Sequence, residues 1–504
     1  MATALVRPWQ RLRPAQRRVA LGLLLAAVAV RVYYAGYYPL SLDEIASYDY
    51  WVLPGAAVTA SYYPFPNNHV LPNLLVGLVH TLAPAAPPQL ALRLLPTLLG
   101  LLTLPVVYAL LLRHLRFGVA TLGLGLYWLS PLAAYYAVAG RGYAWTLVAA
   151  LAGLFATLEL LRPAGRRPVR QLAWAVFGLS GALGLYAVPT HVYALLGLGL
   201  ALLVGFGRGP ARARPVRLVH LAVATLGIAL VAGVLYAPIG AVSGWPALLA
   251  NPYVARQAWP EFRLVVGPFL VGTATELLGQ RGLSAAAYGL LLLVGPVALW
   301  RGQLPAPARR LGWVLYAQLL LWLPLSVAQH VLPPARTLLL VLLAFFLLLA
   351  LLAQVGWAYW QGIIAEKPGL RTVTGPPGLR LGVLVLVLGA YGGYRLHREQ
   401  AVISVHTRQQ AALREAYAWL RTQPLRRVWV EPRAYALFWQ HYALSAGQRP
   451  LPLRVVYDVP AARPGPRGEV EALPAGSLPA VPVRYRNELV RIIPVSPTQP
   501  LIQY

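Results

Sequence analysis

VALGLLLAAVAVRVYYAGYYPLSLDE, residues 19–44, sets a long apolar run directly against an adjacent acidic pair, Asp43 and Glu44. The apolar part, 19–38, reaches the roughly 20 residues that a membrane-spanning helix needs. Arg7, Arg11, Arg13, Arg17 and Arg18 precede it, as in a signal peptide, yet no A-x-A cleavage pattern follows. We read an uncleaved first membrane helix. The acids beyond it are scarce: the chain has three Asp and eleven Glu in 504 residues, and Asp43 and Asp49 fall within one seven-residue stretch.

Composition supports the membrane reading. At 58% hydrophobic and 11% charged residues, with a mean hydropathy of +0.60, the chain carries more apolar surface than a soluble domain hides. It has 43 basic and 14 acidic residues, a net +29, and Lys367 is its single lysine. The arginines cluster in short loops between apolar runs, as the positive-inside rule requires, so nucleic acid is not the expected partner. There is no cysteine, which excludes disulfides, thiol nucleophiles and thiolate metal sites.

Eleven segments are expected to span: 19–38, 92–112, 119–137, 143–161, 171–188, 190–206, 218–239, 283–300, 311–329, 336–358 and 381–396. A twelfth, NHVLPNLLVGLVHTLA at 68–83, is short and holds Pro72 and His80, so it is expected to lie half-inserted near the outer surface. With it excluded, one set of loops carries twenty-one basic residues and the other only Arg141, Arg256, Arg263, Arg281 and Arg336. That asymmetry puts the amino terminus in the cytoplasm and the carboxyl terminus outside, in a multi-pass inner (plasma) membrane protein. The first outer loop, 39–91, is long, as is 240–282. Beyond His397 charges mix and apolar runs shorten: 404–423 has helical spacing, RRVWVEP, RVVYDV and VRIIPV read as strands, and 460–469 as a loop. The expected architecture is an all-α polytopic membrane domain, 1–398, followed by a small extracytoplasmic α/β domain, 399–504.

An ionised carboxylate beside hydrocarbon needs water, a partner or a purpose. Neighbours on a helix point about 100° apart, so Asp43 and Glu44 do not form a proton-sharing dyad; one can face a substrate while the other takes a structural partner. Both hydrating a loop is the plain alternative. Tyr48, Tyr50, Trp51, Tyr62 and Tyr63 read as an interfacial aromatic belt. In YYPFPNNHVLPN, residues 62–73, Asn67, Asn68 and His69 offer neutral donors for hydroxyls or phosphate, although a turn with a helix cap explains the two amides as well. Arg93 enters the second span and can snorkel. Arg141, in AVAGRGYAW, and Arg336, in LPPARTLL, sit on the face that the positive-inside rule empties, which points to a fixed anion there.

The DE pair after the first helix, N-N-H-x-L at the next, Arg93 in ALRLLPTLLG and the RHLRFG loop together resemble the polyprenyl-phosphate-sugar-dependent glycosyltransferases of the GT-C fold. That superfamily includes protein O-mannosyltransferases and the lipid A aminoarabinose transferase. The resemblance is firmest over 19–165; His69-Val70-Leu71 stands where many members have P-P-L. It implies Asp43 as the catalytic carboxylate and Glu44 as its supporting neighbour. Arg141 and Arg336 become contacts to the lipid phosphate, with Arg93 and His69 as further substrate contacts; Tyr143, which closely follows Arg141, and the neutral donors Asn67 and Asn68 complete the expected substrate-binding set. The implied partners are a polyprenyl-phosphate-linked sugar donor and a lipid, glycan or protein acceptor of the cell envelope. In the implied reaction Asp43 is the general base of an inverting displacement. A divalent metal on Asp43 stays open. A multi-span transporter of a small solute or lipid-linked sugar is the principal rival, followed by a non-catalytic scaffold whose terminal domain binds an envelope partner.

Overall fold

A computed structural model describes residues 2–163, 166–249, 256–365, 377–423, 427–430, 433–455, 469–474, 485–487 and 489–494. Among these residues nine helices are long and apolar enough to cross a membrane, and the chain is a multi-pass membrane protein. Two of the eleven expected spans are not among the nine. The segment 119–137 divides into Phe117–Trp128 and Pro131–Tyr136. Its Ser-Pro dipeptide starts a new helix, with Ser130 Oγ accepting the Ala133 N–H at 3.4 Å and Pro131 in the first turn. Arg167–Ala187 has 21 residues but opens on Arg167 and Arg170. The segment expected to lie half-inserted forms the 13-residue helix Val70–Leu82, about 20 Å long and too short to span.

The centre of the bundle is Leu339–Ala365, whose Phe345, Phe346 and Leu347 are fully buried. It packs on Phe117–Trp128, where a Cβ on Gly123 would stand 2.7 Å from Leu347 Cδ2; the missing side chain lets the helices approach. At the periphery, Arg214–Val242 exposes Val223, Leu226, Leu230 and Val234, a lipid-facing surface. The expected outer loop 240–282 holds a further helix, Trp259–Leu278. Trp259 lies against His330, the two rings tilted with centroids 5.1 Å apart, and Gly279 at its other end receives Arg398. Both ends therefore lie at one end of the bundle.

One helix of 45 residues, Pro377–Arg421, unites the last expected span with the expected 404–423 helix, a rod of about 68 Å. The border expected between 398 and 399 falls inside it. Beyond it come strands β1 (Arg427–Val430), β2 (Leu453–Val455), β3 (Glu469–Pro474), β4 (Tyr485–Arg486) and β5 (Val490–Pro494), with the helix Arg433–Ser445 between β1 and β2. They form one sheet in the order β2-β1-β3-β5-β4, in which β1 runs parallel to β2 and β3 while β5 is antiparallel to β3 and β4. Three of these strands lie where expected. The 460–469 loop falls outside the described residues except Glu469, as do Lys367 and Arg371. Trp439, fully buried, packs with Leu413, Ala416, Leu420, Val428, Val430 and Val490.

Candidate active site

The sequence SLDE, residues 41–44, is a capping box. Ser41 Oγ accepts the Glu44 N–H at 3.3 Å, and Glu44 Oε2 accepts the Ser41 N–H at 2.9 Å. It starts the short helix Leu42–Ser47 and sets the directions of the two acids. Glu44 points inward and is fully buried. Arg93 Nε and Nη2 donate to its two oxygens at 2.8 and 2.7 Å, and the Gly140 N–H and Tyr135 hydroxyl add bonds of 2.8 and 3.2 Å. Burial pushes this carboxyl up, but the Arg93 charge and hydrogen bonds, with the Ser41 and Gly140 amides, hold it down to about 2. Glu44 is ionised, and its hydrogen-bonding capacity is used inside the fold.

Asp43 points the other way. Its side chain is 41% exposed, with Oδ2 3.9 Å from Arg141 Nη2 and 3.7 Å from Arg336 Nη2. Arg141 is buried and its direction is set by Asp43 O at 3.0 Å, Asn67 O at 3.1 Å, Ser47 Oγ and Asn67 Oδ1. Arg336 Nε donates to the Tyr143 hydroxyl at 2.8 Å. His69 is buried and accepts the Gly142 N–H on Nδ1 at 2.6 Å, while its Nε2 lies 3.3 Å from Arg141 Nη2. Burial, then the Arg141 and Arg336 charges, push the imidazole well below its ordinary pKa, so it is neutral. The Nδ1 acceptor role assigns the ring hydrogen to Nε2. Two donors then face each other across 3.3 Å.

Asp43, Arg141, Arg336, His69, Asn67 and Tyr143 are thus brought together. Two residues expected as ligand contacts are turned elsewhere. Arg93 is occupied by Glu44 and by the carbonyls of Tyr34, Ala35, Tyr38 and Pro39. Asn68 is fully buried, donating to Thr59 O and Tyr62 O at 2.8 and 3.1 Å and accepting from Asn73 Nδ2 at 3.0 Å. Nor do the aromatic residues form a belt throughout: Tyr48, Trp51 and Tyr63 are buried within the first loop, where Trp51 Nε1 donates to Tyr62 O at 2.9 Å.

Sequence reading missed three contributors. Gly140 supplies a donor to Glu44. At Gly142 a Cβ would sit 2.4 Å from Val188 Cγ2 and 2.9 Å from Ala187 O, so this tight passage needs glycine. Both flank Arg141 in AGRGY, which is the signal that was there to read. The third is His441, whose Nδ1 lies 2.9 Å from Asp49 Oδ1. Asp49 therefore turns away from Asp43. Among the described residues no three His, Asp or Glu side chains converge as a metal site, and the charged groups facing Asp43 are cations, a set that does not fit a divalent ion.

No model of a known protein family matches the chain, and no curated protein matches it. Among solved structures it is similar to ArnT from Cupriavidus metallidurans bound to undecaprenyl phosphate, with a TM-score of 0.57 and 12% identity over 94% of this chain and 97% of that one. The apo state of the same protein gives 0.56 and 13% over the same shares. With so few identities the likeness is one of architecture, and it agrees with the expectation drawn from the DE pair and its following landmarks: the chain has the GT-C fold.

Proposed function

We propose that this protein is a membrane glycosyltransferase that moves a sugar from a polyprenyl-phosphate donor to an acceptor hydroxyl on the extracytoplasmic face. The observation that carries this reading is the accessible carboxylate of the acidic pair, Asp43, held between the guanidinium groups of Arg141 and Arg336 while its neighbour Glu44 is locked in the fold. Asp43 acts as general base, taking the proton of the acceptor hydroxyl as its oxygen attacks the anomeric carbon. The bond from that carbon to the phosphate oxygen breaks, and a single displacement inverts the centre. Negative charge then grows on the departing polyprenyl phosphate, where Arg141 and Arg336 are ready as donors. A phosphate oxygen between Arg141 Nη2 and His69 Nε2–H would also relieve the donor-to-donor contact there.

An apolar cavity of about 270 Å³ supports the lipid part of this reading. It is lined by Leu338, Val341, Leu342, Tyr288 and Trp322 and reaches Ala335, beside Arg336. An isoprenoid chain suits such a wall, with its phosphate at the arginines. The test is to reconstitute the purified protein in liposomes with a panel of undecaprenyl-phosphate-linked sugars and mixed envelope acceptors. Consumption of a lipid-linked sugar with release of undecaprenyl phosphate is expected. Movement of an intact lipid-linked sugar or solute across the bilayer without bond cleavage would replace the enzyme by the transporter.

A further inference from the structure

The end of the bundle away from Asp43 has a cavity of its own. The helix Pro88–Leu111 carries Arg93 near its start, at the acidic pair, and delivers Arg113 just past its other end, about 27 Å further along the axis. There a cavity of about 650 Å³ is lined by Arg7, Arg11, Arg113, Arg162 and Arg310, with His114 and Glu159. Four separate parts of the chain contribute: the amino-terminal helix Ala2–Gln10 and the residue after it, the turn before Phe117, the end of Tyr143–Leu160, and the first turns of Ala306–Gln329.

Charge balance in this cavity is poor. Five guanidinium groups face one carboxylate, a net of four positive charges. Glu159 lies 3.5 Å from Arg113 and 3.5 Å from Arg162, and among the described residues Arg7, Arg11 and Arg310 have no acidic partner. His114 adds nothing positive: burial foremost, and the surrounding arginines, take its pKa down to about 4, and its buried Nδ1 has no hydrogen-bond partner. Arginines that only mark a cytoplasmic face spread into solvent and leave no concavity between them. These line one hollow whose volume exceeds that of a bare phosphate, beside the amphipathic helix Ala2–Gln10, whose Trp9 packs edge-on against Tyr108.

We infer that this cavity is a second, non-catalytic site for a phosphate-bearing headgroup of net negative charge, of phosphodiester or diphosphate type, held by Arg7, Arg11 and Arg310. Guanidinium forks grip such groups through paired N–H donors. The source is either an anionic lipid at the bilayer surface or a soluble phosphate compound, and one experiment separates them. Delipidated full-length protein is titrated in detergent with phosphatidylglycerol, phosphatidylcholine and inorganic pyrophosphate, with binding followed by native mass spectrometry. Three proteins are compared: wild type, R7Q/R11Q/R310Q, and the control R208Q/R212Q/R214Q. The control alters three arginines on the same side of the bundle that do not line the cavity.

Wild type is expected to bind phosphatidylglycerol or pyrophosphate at least tenfold more tightly than phosphatidylcholine. The cavity variant should lose at least tenfold of that affinity and the control less than twofold. Preference for the lipid over pyrophosphate assigns the source to the bilayer, and the reverse assigns it to solution. Equal losses in the two variants, or no preference in wild type, would overturn the site. Because none of these residues touches Asp43, the outcome is independent of whether sugar transfer is found.

Discussion

Asp43 and Glu44 are adjacent in the chain and have different surroundings. The 100° between neighbouring helical residues separates them, and this much was legible in the DE pair. The partner of Glu44 was not, because Arg93 lies 49 positions away and an arginine entering a span can serve as a ligand or as a counter-ion. Replacing Glu44 by Gln leaves the buried guanidinium of Arg93 uncompensated, and should cost about 3–5 kcal/mol, read as a large fall in melting temperature in detergent. His69 gives a pH signature. Its folded-state pKa lies well below 6.5, so the stability it contributes is complete above that value and declines as pH drops below it, by up to about 1.4 kcal/mol per pH unit. The melting temperature of His69→Gln should therefore fall less than that of wild type between pH 6.5 and 5; parallel curves would contradict a neutral His69 held between two cations.

Elements position these residues through close approaches that a one-dimensional reading leaves hidden. The loop between Pro131–Tyr136 and Tyr143–Leu160 sends Gly140 to Glu44 and Arg141 to Asp43 only because both glycines allow close packing; a Cβ at Gly140 would lie 2.5 Å from Leu92 Cβ. Gly142→Ala should cost about 1–3 kcal/mol through overpacking, and should weaken donor use more than acceptor use because Arg141 moves with the loop. Steady-state kinetics with each substrate varied in turn measure this. The interruption at Ser130-Pro131 was legible as chemistry, although the apolar run hid it. The contact between Asp49 and His441 had no local signal at all, since 392 positions separate them. Together with Gln410 Nε2 donating to Leu40 O at 2.6 Å, it docks the terminal unit on the loop that carries Asp43. His441→Ala should lose about 1–3 kcal/mol for the unsatisfied buried carboxylate, and should speed proteolysis after Arg421 relative to wild type. Unchanged cleavage would show that the docking does not depend on this pair.

At the scale of the whole molecule, the loop arginines and the apolar runs carried most of the architecture: the bundle, the short helix that does not cross, the long first loop and the strand-bearing end. What the runs could not disclose was continuity and direction. The 45-residue helix Pro377–Arg421 joins an apolar half to a polar half, and Trp259–Leu278 has a span's length although both its ends stay at one end of the bundle. The resulting form has two polar regions about a span apart, an acidic one flanked by Arg141 and Arg336 and a basic one around Glu159. The account rests on Asp43 as the base of the transfer reaction. Its most direct test is the rate at which Asp43→Asn consumes an undecaprenyl-phosphate-linked sugar in liposomes, against wild type at matched folding and insertion. A fall of about 10²- to 10⁴-fold with an unchanged melting temperature is predicted, and turnover at the wild-type rate would contradict it.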